Sequence, residues 1–148
     1  MKTIMRLSLA AALLGAGACA TFGGPDELHL RTEPRFYSPA MSSTIGIGLT
    51  PLFAAPGGAP FVYHWHTDFG YFVNWAASGK VAPLGPEADS GDGTLYWTYD
   101  SQLALDHKPT VTIVVEATSP ERGDAAHLYA RKKIKLDWDR DTAHVRDE

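Results

Sequence analysis

The stretch Phe61-Val62-Tyr63-His64-Trp65-His66-Thr67-Asp68-Phe69-Gly70-Tyr71-Phe72-Val73-Asn74-Trp75 constrains this chain most. It holds two of the four Trp residues and the one His-x-His pair. Side chains alternate across a β-strand, so Phe61, Tyr63, Trp65 and Thr67 share one face, and Val62, His64 and His66 share the other. The aromatic face carries the larger apolar area and is the natural core face. In Thr67-Asp68-Phe69-Gly70, Asp can bond its own backbone and Gly supplies a positive φ. The pattern predicts a β-hairpin in which Tyr71–Trp75 returns as the partner of the first strand.

Further strands follow from the same alternation. Glu27–Glu33 places Leu28 and Leu30 inward and ends at Pro34. Ser43–Leu49 places Ile45, Ile47 and Leu49 on one face, with Gly46 and Gly48 on the other, where a second segment can approach closely. Thr94–Tyr99 turns Leu95, Trp97 and Tyr99 inward, and Thr110–Ala117 does the same with Val111, Ile113, Val115 and Ala117. Ala126–Trp138 is a long strand with Leu128, Ala130, Ile134, Leu136 and Trp138 on one face. Lys132 also falls on that inward face, which predicts a bulge there. Residues 51–60, 76–92 and 101–109 read as loops, the last with a helical turn at Gln102–Leu105. About seven short strands and no convincing amphipathic helix predict an all-β fold, an antiparallel immunoglobulin-like β-sandwich. A small open barrel is the alternative.

The first residues are of another kind. Lys2 and Arg6 precede the apolar run Leu7–Leu14, and Ala16-Gly17-Ala18-Cys19 follows. This pattern predicts an export signal, too short and too Ala-rich for a lasting transmembrane helix. The leader resembles that of bacterial lipoproteins, which implies cleavage before Cys19 and lipid attachment to it. Ala16 stands where that family usually has Leu. Ordinary cleavage after Ala18 or Ala20 is the alternative, and cleavage after Ala18 would leave a lone thiol in an oxidising compartment. The expected organisation is a signal peptide over 1–18, a tether over 19–26, a sandwich domain over 27–138 and an acidic tail over 139–148. The strand Thr110-Val111-Thr112-Ile113-Val114-Val115-Glu116, preceded by Lys108-Pro109, resembles the penultimate strand of PKD-like and other immunoglobulin-like domains of bacterial surface proteins. That resemblance spans roughly residues 40–137 and implies a fold rather than an activity.

Charge narrows the partners. The chain has 13 Lys and Arg against 17 Asp and Glu, a formal charge of −4, and its leader takes away two of the positive charges. Nucleic acid requires Lys and Arg in number to neutralise phosphates, so it is not an expected partner.

His64 and His66 are the sharpest candidates for chemistry. At i and i+2 on a strand their Cα atoms stand roughly 6–7 Å apart on one face. Two such rings can chelate Cu or Zn if a third ligand arrives, with His29, His107, His127 and Asp100 as candidates. A solvated sheet face is the plainer reading. Glu87–Gly93 is an acidic, Gly-rich loop that reads as a solvated turn; its composition is one calcium favours, but it lacks the EF-hand pattern and its closing bidentate Glu. Trp65, Phe69, Tyr71, Trp75, Trp97 and Tyr99 supply rings for a sugar-stacking platform, although most occupy core positions. Phe69 and Tyr71, at the predicted hairpin tip, are the partner-binding candidates. Arg131-Lys132-Lys133-Ile134-Lys135 reads as a charged edge strand.

The sequence has no Gly-x-Ser-x-Gly elbow, His-Glu-x-x-His, P-loop or dinucleotide fingerprint. The expectation is a non-catalytic, cofactor-free binding or accessory lipoprotein. It would be exported, held to the membrane of the bacterial envelope through an N-terminal lipid, and act on an envelope protein or a glycan. The alternative is a periplasmic Cu/Zn-binding protein using His64 and His66.

Overall fold

A computed structural model describes residues 27–101, 110–121 and 125–146. The expected signal peptide, Cys19, most of the tether, His107 and the helical turn at Gln102–Leu105 lie outside the described residues.

Among the described residues eleven strands follow one another: β1 (His29–Glu33), β2 (Phe36–Tyr37), β3 (Ile47–Leu52), β4 (Val62–Thr67), β5 (Tyr71–Trp75), β6 (Val81–Gly85), β7 (Glu87–Ser90), β8 (Leu95–Thr98), β9 (Val111–Thr118), β10 (Leu128–Asp139) and β11 (Thr142–Val145). They form two antiparallel sheets, ordered β1-β3-β8-β5-β6 and β2-β11-β10-β9-β4-β7. The sheets pack as a β-sandwich. Its middle has four strands, β1-β3-β8-β5, over three, β10-β9-β4, the strand count of constant-type immunoglobulin sandwiches.

The core forms where the alternating apolar faces meet. Trp97, Tyr63, Phe72, Ile47, Leu49, Leu95, Ile113, Leu136, Val111 and Val115 are fully buried, and Trp65 nearly so. Burying each aromatic ring is worth about 4–6 kcal/mol of transfer free energy before the cost of ordering it. Gly46 and Gly48 do admit close neighbours. A Cβ on Gly48 would lie 2.5 Å from the carbonyl oxygen of Glu33 on β1.

The 61–75 stretch departs from expectation in one decisive way. Its two strands are not partners. β4 pairs with β7 and β9, whereas β5 pairs with β6 and β8 in the other sheet. The turn at residues 68–70 therefore carries the chain across the sandwich. The reason lies in its apolar content. Tyr63 and Trp65 on one strand and Phe72 on the other all need burial, and facing sheets let both sets fill one core.

Other strands lie where loops were expected. β3 runs on through Pro51 to Leu52, and the 76–92 connection contains β6 and β7. Gly85 and Pro86 carry the chain from one sheet to the other between them. The stretch expected as an acidic tail contains β11, paired with both β10 and β2, with Ala143 fully buried. On β10 the register shift falls between Leu128 and Ala130 instead of at Lys132. This irregularity leaves Leu128 49% exposed, while Ile134 and Leu136 reach the core.

Candidate functional site

The outer face of the second sheet carries rows of ionisable side chains. Tyr63, Trp65 and Thr67 point inward from β4, so His64 and His66 must point out. Register then decides their neighbours. Asp89 of β7 and Glu116 of β9 flank His64, and Arg131 of β10 lies beyond Glu116. The next row is Glu87, His66, Val114 and Lys133.

Each His meets its own carboxylate. His64 Nδ1 donates to Asp89 Oδ1 at 2.5 Å, and His66 Nδ1 lies 3.7 Å from Glu87 Oε1. An ionised carboxylate only accepts, so the bond to Asp89 places a proton on Nδ1 of His64 and leaves Nε2 as the lone-pair nitrogen of the neutral ring. Arg131 Nε pairs with Glu116 Oε1 at 3.2 Å. Behind this face, Trp65 Nε1 donates to Ser90 Oγ at 2.8 Å. β7 is thus pinned to β4 from both sides, by Trp65–Ser90 beneath and His64–Asp89 above.

Two grooves, both open to solvent, meet at the His64–Asp89 pair. One, of about 570 Å3, runs between Val62, Ser90 and Gly91 and the segment Pro120, Glu121 and Ala126. The other, of about 310 Å3, lies over Val114 between His66, Glu87, Glu116 and Arg131. The walls carry both signs of charge. Among the described residues no three His, Cys, Asp or Glu side chains form a metal-ligating group. His29 belongs to the opposite sheet, on β1.

The other candidates fare differently. Phe69 is half-buried, packed edge-on against Trp138 at 5.8 Å and tilted against Tyr99 at 6.5 Å, so it is an apolar plug for the crossing turn rather than an exposed tip. Tyr71 starts β5 opposite Thr98 and is also half-buried. The proposed stacking platform is dispersed: Trp65, Trp97 and Tyr99 are core, and Trp75 alone of those six rings is more than half exposed, at 51%. Glu87–Ser90 is strand β7 instead of part of a calcium loop, because its alternation places Ala88 and Ser90 inward against β4.

Glu87, Asp89, Glu116 and Arg131 were not legible as neighbours of the His pair. A signal existed in the period-two pattern of Glu87-Ala88-Asp89-Ser90, but the adjacent glycines masked it. No family model matches this chain, and no curated protein or solved structure matches it.

Proposed function

We propose that this chain is an exported, envelope-tethered binding module without catalytic activity, which recognises a protein or cell-wall polymer with the outer face of its second sheet. The observation that carries this reading is the pair of open grooves meeting at His64 and Asp89. Open grooves walled by His, Asp, Glu and Arg suit an extended polar partner better than an enclosed small molecule. The leader ending at Cys19 supports export and lipid attachment. The test is a photoreactive residue replacing His66, in intact cells producing the full chain, with one replacing Phe36 as the control. A discrete adduct with a protein or with isolated cell wall, lost in the His64→Ala, Asp89→Ala background, is the expected result. Adducts of equal yield from both positions, or from neither, overturn the proposal.

A second reading rests on the carboxylates behind the two imidazoles. Metal-binding His residues commonly donate their other ring N–H to a carboxylate, which fixes the tautomer, and His64 makes such a contact with Asp89. His64 and His66 would then offer two nitrogens to Cu or Zn, with the remaining ligands supplied from elsewhere. Calorimetric titration with Cu(II) and Zn(II) decides it. Heat at micromolar concentrations that disappears in the His64→Ala, His66→Ala variant supports the reading, and no heat removes it.

A further inference from the structure

The registers place several connections at one end of the sandwich. Residue 27 lies just before β1, and His29 of β1 is opposite Leu52 at the end of β3. The β3–β4 loop leads to Val62, which is opposite Thr118; Thr118 in turn is opposite Leu128 at the start of β10. Tyr71 lies opposite Thr98 and Val73 opposite Tyr96, so β5 runs back toward this same end and finishes there at Trp75, opposite Val81. Among the described residues seven large apolar side chains are strongly exposed, and four of them gather here: Leu52 (48%), Trp75 (51%), Val81 (43%) and Leu128 (49%). Phe36 and Met41 sit with Pro34 and Thr44 toward the opposite end.

We infer that this end of the sandwich rests on the lipid surface, with Leu52, Trp75, Val81 and Leu128 as its contacting rim. The inference depends on the proposed lipid attachment at Cys19, and it adds which part of the domain meets the membrane. The length of chain outside the described residues supports it. Eight residue steps separate Cys19 from Glu27 and reach at most about 28 Å when fully extended. A lipid on Cys19 therefore tethers the domain from this end, where the described chain begins at residue 27 beside β1, rather than from the end bearing Phe36 and Met41. Tethering also raises the effective concentration of a contact too weak to persist between free molecules. Trp suits such a contact, since its amphipathic ring favours the headgroup level.

Charge selects the kind of surface. The exposed charged residues at this end include Glu27, Asp92 and Glu121 against Lys80, so attraction to anionic lipid contributes little. The contact is apolar, fits a zwitterionic surface and is insensitive to salt. It leaves the groove over Val114, between His66, Glu87, Glu116 and Arg131, on a side of the sandwich and open to a partner, whereas the groove between Val62 and Glu121 reaches this end.

Trp75 is the built-in probe, because Trp65 and Trp97 are buried and the half-buried Trp138 packs against Phe69, Trp97 and Tyr99 away from this end. The full chain is produced with its leader, purified in its mature form, checked by mass for acylation of Cys19, and reconstituted into phosphatidylcholine vesicles. Some vesicles carry acyl chains brominated near the headgroup. Emission of the acylated protein should fall about twofold more on brominated lipid than that of its Trp75→Phe variant, as expected of an indole at interfacial depth. The same vesicles should shield Trp75 from acrylamide, at low and high salt alike. Acylated protein whose Trp75 stays as open to acrylamide as in Cys19→Ala protein overturns the inference and leaves the tether intact. Shielding in cells without shielding on vesicles assigns the rim to a protein and also overturns it. A mass without acyl groups overturns the tether and the inference together.

Discussion

Trp97 Nε1 donates a 2.8 Å hydrogen bond to the carbonyl oxygen of Phe69. A fully buried indole of one sheet thereby holds the turn through which the chain leaves the other. Thr67 Oγ1 donates to the same carbonyl at 2.7 Å, so the crossing is fastened from both sides.

Gly70 completes that turn with φ +75°, and a Cβ there would stand 2.9 Å from the Trp97 ring and 2.5 Å from the carbonyl oxygen of Thr98. Neither the ring nor the backbone can give way cheaply. Gly70→Ala should cost about 2–4 kcal/mol, through backbone strain and overpacking together. Chemical denaturation of the variant checks this, and a midpoint equal to that of the parent would refute the account of the crossing.

Two phenols predict alkaline behaviour. Burial, with the charge of Asp92 adding to it, pushes Tyr63 up to about 12. Burial likewise pushes Tyr99 up to about 12, and its hydroxyl donates to the carbonyl of Asp141. Both folded values exceed the unfolded value near ~10. The stability these groups contribute is therefore fully present below about pH 10 and is lost as pH rises through about 12. Ultraviolet titration should show two tyrosines that ionise only as the domain unfolds. Tyr63→Phe and Tyr99→Phe should each remove one of them.

Deleting residues 140–148 should do more than trim a tail. It removes β11, exposes the surfaces that enclose Ala143, and strips Tyr37 of its ladder partner and Tyr99 of its acceptor. With each backbone bond worth about 1 kcal/mol and an orphaned phenol costing more, a loss of about 3–5 kcal/mol is expected by denaturant titration. The pairing of Arg146 with Asp137, 2.5 Å at both contacts, holds the end of the strand from outside.

The His face should tolerate change. His64 and His66 are 42% and 58% exposed at the side chain, and exposed ion pairs contribute less than about 1 kcal/mol. The His64→Ala, His66→Ala variant should keep its thermal midpoint within a few degrees of the parent. Loss of binding in that variant then reports on the site itself, and a large drop in the midpoint would assign the pair a structural role.

Within single strands the pattern of side chains was legible. Val111, Ile113, Val115 and Ala117 face the core as their alternation requires, as do Leu95, Trp97 and Tyr99, and His64 and His66 share the outer face as their spacing demands. Which side a residue takes is a local property, because the pleat imposes period two on any extended segment. Partnership is not local. Whether β4 turns back onto β5 or the chain crosses to the other sheet depends on where Phe72, Trp97 and Phe69 find burial, which involves strands far apart in sequence. The same holds for the candidate site. Asp89 and Glu116 stand 25 and 52 positions after His64 in the chain, and only the registers β7-β4-β9 bring them to either side of it. Sequence alone therefore determined an all-β chain and the faces of its main strands. The crossing at residues 68–70, the two-sided enclosure of β11 and the neighbours of His64 were decided by tertiary packing, because burying both aromatic sets in one core is a condition on the whole chain.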